Sequence, residues 1–318
     1  MSLCIFVIVI AVVVGFALTS FTNTISVAYS LISINYSFVK KIPQEANSEI
    51  EIVQPEGIIS DTMGNVYVND IEPNRIMKFS NNGSYLFGWG STGSDEGQFN
   101  HPHGIEIDQD GNVYITDQGN ARVQKFTADG KFITEWGTHG IEDGQFTHPH
   151  GLAIDSKGNI YVSDRDSANI QKFTNNGTFL AKWGSKGNGD GQFIEPWDVS
   201  VDENDRVFVP DYGNNRIQVF TDNGTFITKW GNGGSEDGQL NQPAVITFDK
   251  DELLYVTDSG NHRVQVFDKN GTFMAKWGSQ GNGDGQFSKP ESIDVDPFGN
   301  VYVADTTNNN VQIFSRNN

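Results

Sequence analysis

Residues able to bind a metal ion or a ligand follow six prolines that recur every 47 positions. The prolines are Pro55, Pro102, Pro149, Pro196, Pro243 and Pro290. The residue after each proline is not constant and takes four identities in the six copies, whereas the sequence on either side repeats closely. These variable residues are Glu56, His103, His150, Trp197, Ala244 and Glu291. A position that varies while the surrounding repeat stays constant is a candidate for a binding or catalytic site.

Two carboxylates and two imidazoles occupy four of the variable positions. They are Glu56, His103, His150 and Glu291. These groups are suitable ligands for Zn²⁺ or a similar divalent ion. Two carboxylates about 6 Å apart would repel each other by roughly 3 kcal/mol, which a bound cation, a proton or an imidazolium would relieve. Two interpretations stay open: a divalent metal site, to which His101 and His148 could add nitrogen donors, or Glu–His pairs satisfied by each other and by water.

The segments between the prolines predict an all-β fold, a six-bladed β-propeller. Each complete copy contains four short runs of alternating or β-branched residues separated by turns. In the third copy the expected strands are Gly151–Asp155, Ile160–Asp164, Ile170–Phe173 and Phe179–Trp183. Asn176-Gly177 between the last two runs is a favourable hairpin turn. Four antiparallel strands per copy, repeated around a ring, form the blades of a propeller.

The two ends of the chain predict how the ring closes. The sixth copy lacks its fourth strand, and residues 36–42 have the right spacing before Pro55 to supply it. Closure would leave no long open edge, and it places Glu291, Glu56, His103 and His150 on four consecutive blades. We expect the propeller to span residues 35–318, with a linker at 29–34 and a signal peptide or N-terminal membrane anchor at 1–28.

The N-terminal run and the net charge predict where the protein works. Leu3–Leu18 is an almost unbroken apolar run of signal-peptide length, and Ser26–Ala28 offers small residues for cleavage. No Lys or Arg precedes the run, so an uncleaved anchor stays open. The net charge of −19 argues against nucleic-acid binding. We expect an extracytoplasmic protein, secreted or attached to a membrane only through the N-terminal segment.

The loops of a propeller divide between two rims, and each rim carries its own candidates. Trp197 lies on the rim of the variable residues, and the loops after the second strands add Arg165, Tyr212 and His262. An aromatic ring beside a cation can hold a peptide or a sugar, although ordinary surface packing explains the same residues. The other rim carries five glycosylation sequons, at Asn35, Asn82, Asn176, Asn223 and Asn270. Asn-Gly turns account for four of them without any sugar; Asn35 has no glycine after it.

A carboxylate and an arginine recur five positions apart in four copies. The pairs are Asp70/Arg75, Asp117/Arg122, Asp211/Arg216 and Asp258/Arg263. Because the pair repeats, we expect it to be a structural contact within each blade.

The same copies resemble a known repeat. Asn112–Asp117, followed by Asn120, Arg122–Gln124 and Phe126, resembles the NHL repeat, and Asn261–Phe267 is similar to its eponymous stretch. The resemblance extends over residues 36–318. It implies a six-bladed β-propeller and leaves the activity open, because such folds host many unrelated functions.

Among NHL-like proteins, the peptidyl-hydroxyglycine amidating lyases provide an enzymatic comparison. Their propeller holds zinc with three histidines, some in Pro-His motifs that Pro149-His150 resembles, and Val162–Arg165 is similar to a segment with an active-site arginine. Their histidines come from alternating blades, whereas the alternate positions around His150 are Glu56 and Ala244. We therefore expect a monomeric, non-enzymatic module that binds an extracellular protein, peptide or glycan. The alternative is a metal-dependent lyase of this type, or another propeller lyase or lactonase.

Overall fold

The computed structural model describes residues 34–43 and 50–317 as an all-β structure. Within these ranges, 24 strands form six four-stranded antiparallel sheets. The only helical segments there are four single-turn 3-10 helices, at Gln118–Asn120, Tyr212–Asn214, Ser259–Asn261 and Thr306–Asn308. The predicted six-bladed β-propeller is confirmed.

Six blades of four strands make up the ring. Strand β1 (Asn35–Ile42) comes first in the chain and belongs to the last blade. Blade one contains β2 (Pro55–Ser60), β3 (Val66–Asp70), β4 (Arg75–Phe79) and β5 (Tyr85–Trp89). Blade two contains β6 (Pro102–Ile107), β7 (Val113–Asp117), β8 (Arg122–Phe126) and β9 (Phe132–Trp136). Blade three contains β10 (Pro149–Ile154), β11 (Ile160–Asp164), β12 (Asn169–Phe173) and β13 (Phe179–Trp183).

The remaining blades follow the same order. Blade four contains β14 (Ser200–Val201), β15 (Val207–Asp211), β16 (Arg216–Phe220) and β17 (Phe226–Trp230). Blade five contains β18 (Pro243–Phe248), β19 (Leu254–Asp258), β20 (Arg263–Phe267) and β21 (Phe273–Trp277). Blade six contains β22 (Pro290–Val295), β23 (Asn300–Asp305) and β24 (Asn310–Asn317), completed by β1.

Strand β1 closes the ring as predicted. It pairs antiparallel with β24, from Asn35 opposite Asn317 to Ile42 opposite Val311. The ring of Tyr36 stacks on Trp277 of blade five at 4.1 Å between centroids. The first and last parts of the propeller therefore share one sheet. The leader, 1–28, and the linker up to residue 33 lie outside the described residues; among the described ones, no helix is long and apolar enough to span a membrane.

The burial of each strand follows from its place in the blade. Every residue of the second strands β7, β11 and β15 is buried, because neighbouring blades cover both faces of the sheet. The fourth strands β9 and β13 instead alternate between half-buried and exposed residues. Such alternation is typical of a strand with one face in solvent. The apolar core is consequently divided into layers between adjacent blades.

The repeated Asp–Arg pairs occur in blades one, two, four and five. In blade two the pair also connects the blade to the loop that enters it. In blade two, Asp117 accepts hydrogen bonds from Arg122 Nε at 2.8 Å and from the backbone N–H of Asn100 at 2.8 Å. Arg122 also donates to the carbonyl oxygens of Asp95 and Gln98, at 3.0 Å each. The carboxylate and guanidinium are both buried. Their hydrogen bonds to each other and to the backbone offset the free-energy cost of removing two charges from water. This network fixes the loop that leads to the variable residue.

Candidate functional site at the channel mouth

A β-bulge follows the first proline of most blades and sets the direction of the variable residue. In blade two Pro102 pairs with Asp117, but the next paired residue is Ile105. The same interruption follows the corresponding prolines of blades one, three, five and six. A bulge re-aims side chains locally. It brings the variable residues together at one end of the central channel, which we call the channel mouth.

The channel contains a cavity of about 420 Å³. Five of the six variable residues line it: Glu56, His103, His150, Trp197 and Glu291. The sixth, Ala244, is fully buried and packs with Trp197 and Tyr212. Positions 47 residues apart in sequence thus become neighbours around a single cavity.

Glu56 and His103 contact each other across blades one and two, through Glu56 Oε2 and His103 Nε2. His101 completes a group in which one ligand atom from each residue lies within 4.8 Å of the others. Burial alone would raise the pKa of Glu56, but the charge and hydrogen bond of His103 hold that pKa below its usual value. The metal set predicted from the sequence was Glu56, His103, His150 and Glu291. The group whose ligand atoms the structure brings together consists of Glu56, His103 and His101.

His150 is a buried imidazole between two other rings. Its ring centroid lies 3.6 Å from that of His103 and 4.4 Å from that of Trp197. Burial, followed by the charges of His103, Arg165 and His148, lowers the pKa of His150 well below its ordinary value. Its Nε2 atom is buried and has no hydrogen-bond partner in the described part of the chain. His150 is therefore a neutral side chain with an unused polar atom beside the cavity.

Glu291 closes the other side of the channel mouth. Its Oε1 lies 2.5 Å from Lys289 Nζ, whereas its buried Oε2 has no hydrogen-bond partner among residues 34–43 and 50–317. Burial and the nearby Glu56 carboxylate raise the pKa of Glu291. Lys289 is thus the cation that compensates this carboxylate.

The expected ligand-binding residues separate into two places. Trp197 stacks on Tyr212 with 4.2 Å between centroids, and the Arg165 guanidinium lies over the Trp197 ring at 5.3 Å. Both aromatic side chains are only 8% exposed, so they form no open platform. Trp197 lines the cavity, whereas Tyr212 and Arg165 contact Trp197 from outside the cavity lining. His262 lies elsewhere: its Nδ1 is 2.6 Å from the Ser288 carbonyl oxygen, and it does not line the cavity.

Three carboxyl groups deeper in the same cavity were not singled out from the sequence. Burial raises the pKa of Glu106 to about 8, that of Asp198 to about 7 and that of Asp294 to about 6. Glu106 and Asp294 come four residues after a proline, where the other blades have Ile59, Ala153, Ser200 and Thr247. Scanning this second variable position across the copies would have found two of the three.

The sequon asparagines occupy the end of the propeller opposite the channel mouth. Asn82, Asn176, Asn223 and Asn270 lie in the turns before fourth strands, and Asn35 begins β1. All five are exposed. Their glycosylation remains a prediction.

Family models match much of the propeller. The NHL repeat model matches residues 99–126, 146–173 and 193–220. A model described as a 6-bladed beta-propeller matches residues 235–317. The search of curated proteins gave no match.

Solved structures of similar shape include both enzymes and a binding protein. A streptogramin B lyase has a TM-score of 0.62 at 16% identity, covering 91% of this chain and 99% of its own. Virginiamycin B lyase from Staphylococcus aureus has a TM-score of 0.57 at 15% identity, covering 89% and 88%. An auxiliary nutrient binding protein from Bacteroides ovatus has a TM-score of 0.61 at 16% identity, covering 90% and 78%.

At these identities, the structural likeness bears on the fold alone. The repeat matches, the four-stranded blades and the closure by β1 agree with one another. The chain is a six-bladed β-propeller that contains NHL repeats.

Proposed function

We propose that this protein is an exported binding module that holds a peptide or carbohydrate ligand in the channel mouth. The observation that carries the proposal is the convergence of the variable residues on one cavity. A volume of about 420 Å³ suits part of a peptide or a short saccharide. Export is proposed from the apolar run Leu3–Leu18.

The composition of the channel mouth supports binding. Trp197 supplies an apolar wall, and Arg165 and Lys289 lie over its ring at 5.3 and 6.0 Å. Both cations are partly exposed, with 25% and 43% of their side-chain surface open to solvent. An aromatic ring flanked by cations binds carboxylates and hydroxyl-rich ligands through combined apolar and hydrogen-bonding contact. The ligand would meet these side chains first.

An array of peptides and glycans probed with the full chain tests the proposal, with two arginine variants as comparison. Arg165→Ala should weaken binding by about tenfold or more, because a partly buried charged contact is lost. Arg206→Ala is the matched control. Arg206 is 28% exposed, pairs with Asp202 and lies over Phe208 at 5.4 Å, but belongs to the opposite rim. Equal binding by both variants, or no bound probe, would contradict the proposal.

A second candidate function, a metal-dependent lyase, is favoured by the Glu56, His101 and His103 group. It is also supported by the fold shared with the streptogramin B and virginiamycin B lyases. One of the similar structures holds quinupristin on an inactive lyase. Chromatography of quinupristin incubated with the full chain would test this candidate. Product formation that disappears in His103→Ala would favour the lyase. Quinupristin that stays intact would contradict the lyase and favour the binding module.

A further inference from the structure

We propose that Glu56, His101 and His103 bind a divalent transition-metal ion of the zinc type, with an open coordination position facing the channel mouth. The ion would anchor a ligand in the cavity of the proposed binding function, so its role in recognition rests on that function. Metal binding itself requires no organic ligand and is tested separately.

The three donors are already assembled at nearly the required distances. Their ligand atoms all lie within 4.8 Å of one another. Ligands about 2.0–2.1 Å from a tetrahedral zinc ion are separated from each other by about 3.3 Å. Small side-chain rotations would therefore close the group around an ion.

Local backbone geometry places each donor. Glu56 and His103 follow the first prolines of adjacent blades, where the pairing of the strands is interrupted. His101 precedes Pro102 in the left-handed region, with φ of 62°. Its backbone N–H donates to Asn74 Oδ1 at 2.6 Å, which ties the loop to blade one. The unusual conformation at His101 brings its imidazole beside the other two donors.

An ion can reach the group from solvent, because His101 is exposed. Anionic carboxylate and neutral imidazole are the forms that coordinate metal ions.

An independent observation points to an additional occupant. His150 is only 3% exposed, lies against the ring of His103, and its Nε2 has no hydrogen-bond partner in the described ranges. A buried polar atom without a partner destabilises the folded state. A water or ligand atom bound to an ion at the channel mouth would give this nitrogen a partner.

The donor types select the class of ion. Two imidazoles and one carboxylate favour zinc and similar transition metals over Ca²⁺ and Mg²⁺, which prefer oxygen ligands. Three protein ligands leave at least one position for water or a ligand, as in sites that act on bound molecules. The site therefore differs from a closed structural zinc site.

Calorimetric titration of tag-free, chelator-treated full chain with ZnCl₂ tests the proposal. We expect one zinc per chain, with affinity reduced about tenfold or more in His101→Ala. His101 is exposed, so this variant should keep its fold, which circular dichroism can check. His139→Ala is the matched control, since His139 is also an exposed loop histidine, in the next blade. Cobalt substitution should add visible absorption bands that His101→Ala loses.

Each result has a defined meaning. Failure of the full chain to bind zinc, equal loss in both variants, or displacement of zinc by equimolar Ca²⁺ or Mg²⁺ would overturn the proposal. Zinc binding without capture of any peptide or glycan would leave the metal site standing and contradict only the proposed recognition function. Ligand capture by a chain that binds no zinc would contradict only the metal site.

Discussion

A single variable position gives each blade its contribution to the channel mouth. The bulge after the proline aims Glu56, His103 and His150 toward one cavity, although each occupies an equivalent place in its own blade. Their chemistry then depends on their neighbours. His103 lowers the pKa of Glu56, whereas burial and Glu56 raise the pKa of Glu291. Similar carboxylates on adjacent blades therefore have different protonation behaviour.

Glu106 should make the stability of the protein depend on pH. Burial raises its pKa from 4.5 to about 8, so the folded chain binds this proton more tightly than the unfolded chain. The associated stability is complete below about pH 4.5 and is lost as the pH rises toward 8. Glu106→Gln removes the ionisation and should therefore stabilise the protein at pH 9, by up to about 5 kcal/mol, with little effect at pH 4.

Thermal melting at the two pH values measures this difference. Glu96→Gln is the control, because Glu96 is exposed outside the channel. A stabilisation by Glu106→Gln that is equal at both pH values would contradict the assignment to ionisation in the channel.

Contacts between neighbouring blades explain why the glycine of the Asn-Gly turns recurs. Gly177 has φ of +86°, and a Cβ atom there would lie 2.6 Å from the Trp136 ring of the preceding blade. Trp136 also lies against Phe173 of the same blade as Gly177, with 6.1 Å between ring centroids. The turn thus serves the packing between blades as well as the hairpin.

Gly177→Ala should destabilise the protein more than Gly158→Ala. Both glycines have positive φ, of +86° and +79°, so both variants carry the cost of about 1 kcal/mol for a left-handed alanine. Only Gly177 faces an aromatic ring; a Cβ at Gly158 meets nothing within 4 Å. Overpacking should add about 1–3 kcal/mol at Gly177. Chemical denaturation measures the difference, and equal losses in the two variants would show that the Trp136 contact is unimportant.

Across the whole molecule, the repeat made the architecture predictable. The expected strands Ile160–Asp164 and Phe179–Trp183 match β11 and β13, and residues 36–42 lie within β1. The first strand of blade three begins earlier than expected, because Pro149 already pairs with Asp164 before the bulge. The periodic sequence specifies each blade locally, and ring closure then follows from the missing strand.

The candidate site was less predictable than the fold because it depends on loop geometry. The left-handed backbone at His101, which brings its imidazole to Glu56 and His103, has no signal in the residue type. The sequence likewise did not indicate that Tyr212 would stack on Trp197 and leave both nearly buried. Equivalent positions could be aligned from the spacing, but side-chain contacts between blades could not.

The location of a bound ligand tests the central claim that the channel mouth is the recognition face. Hydrogen–deuterium exchange of the full chain would be compared with and without a ligand identified on the array. We expect added protection in residues 101–104, 148–151 and 195–198, which surround the channel mouth. The turns at 174–178 and 221–225, on the opposite rim, should exchange unchanged. Protection confined to those turns, with none around the channel mouth, would contradict the account.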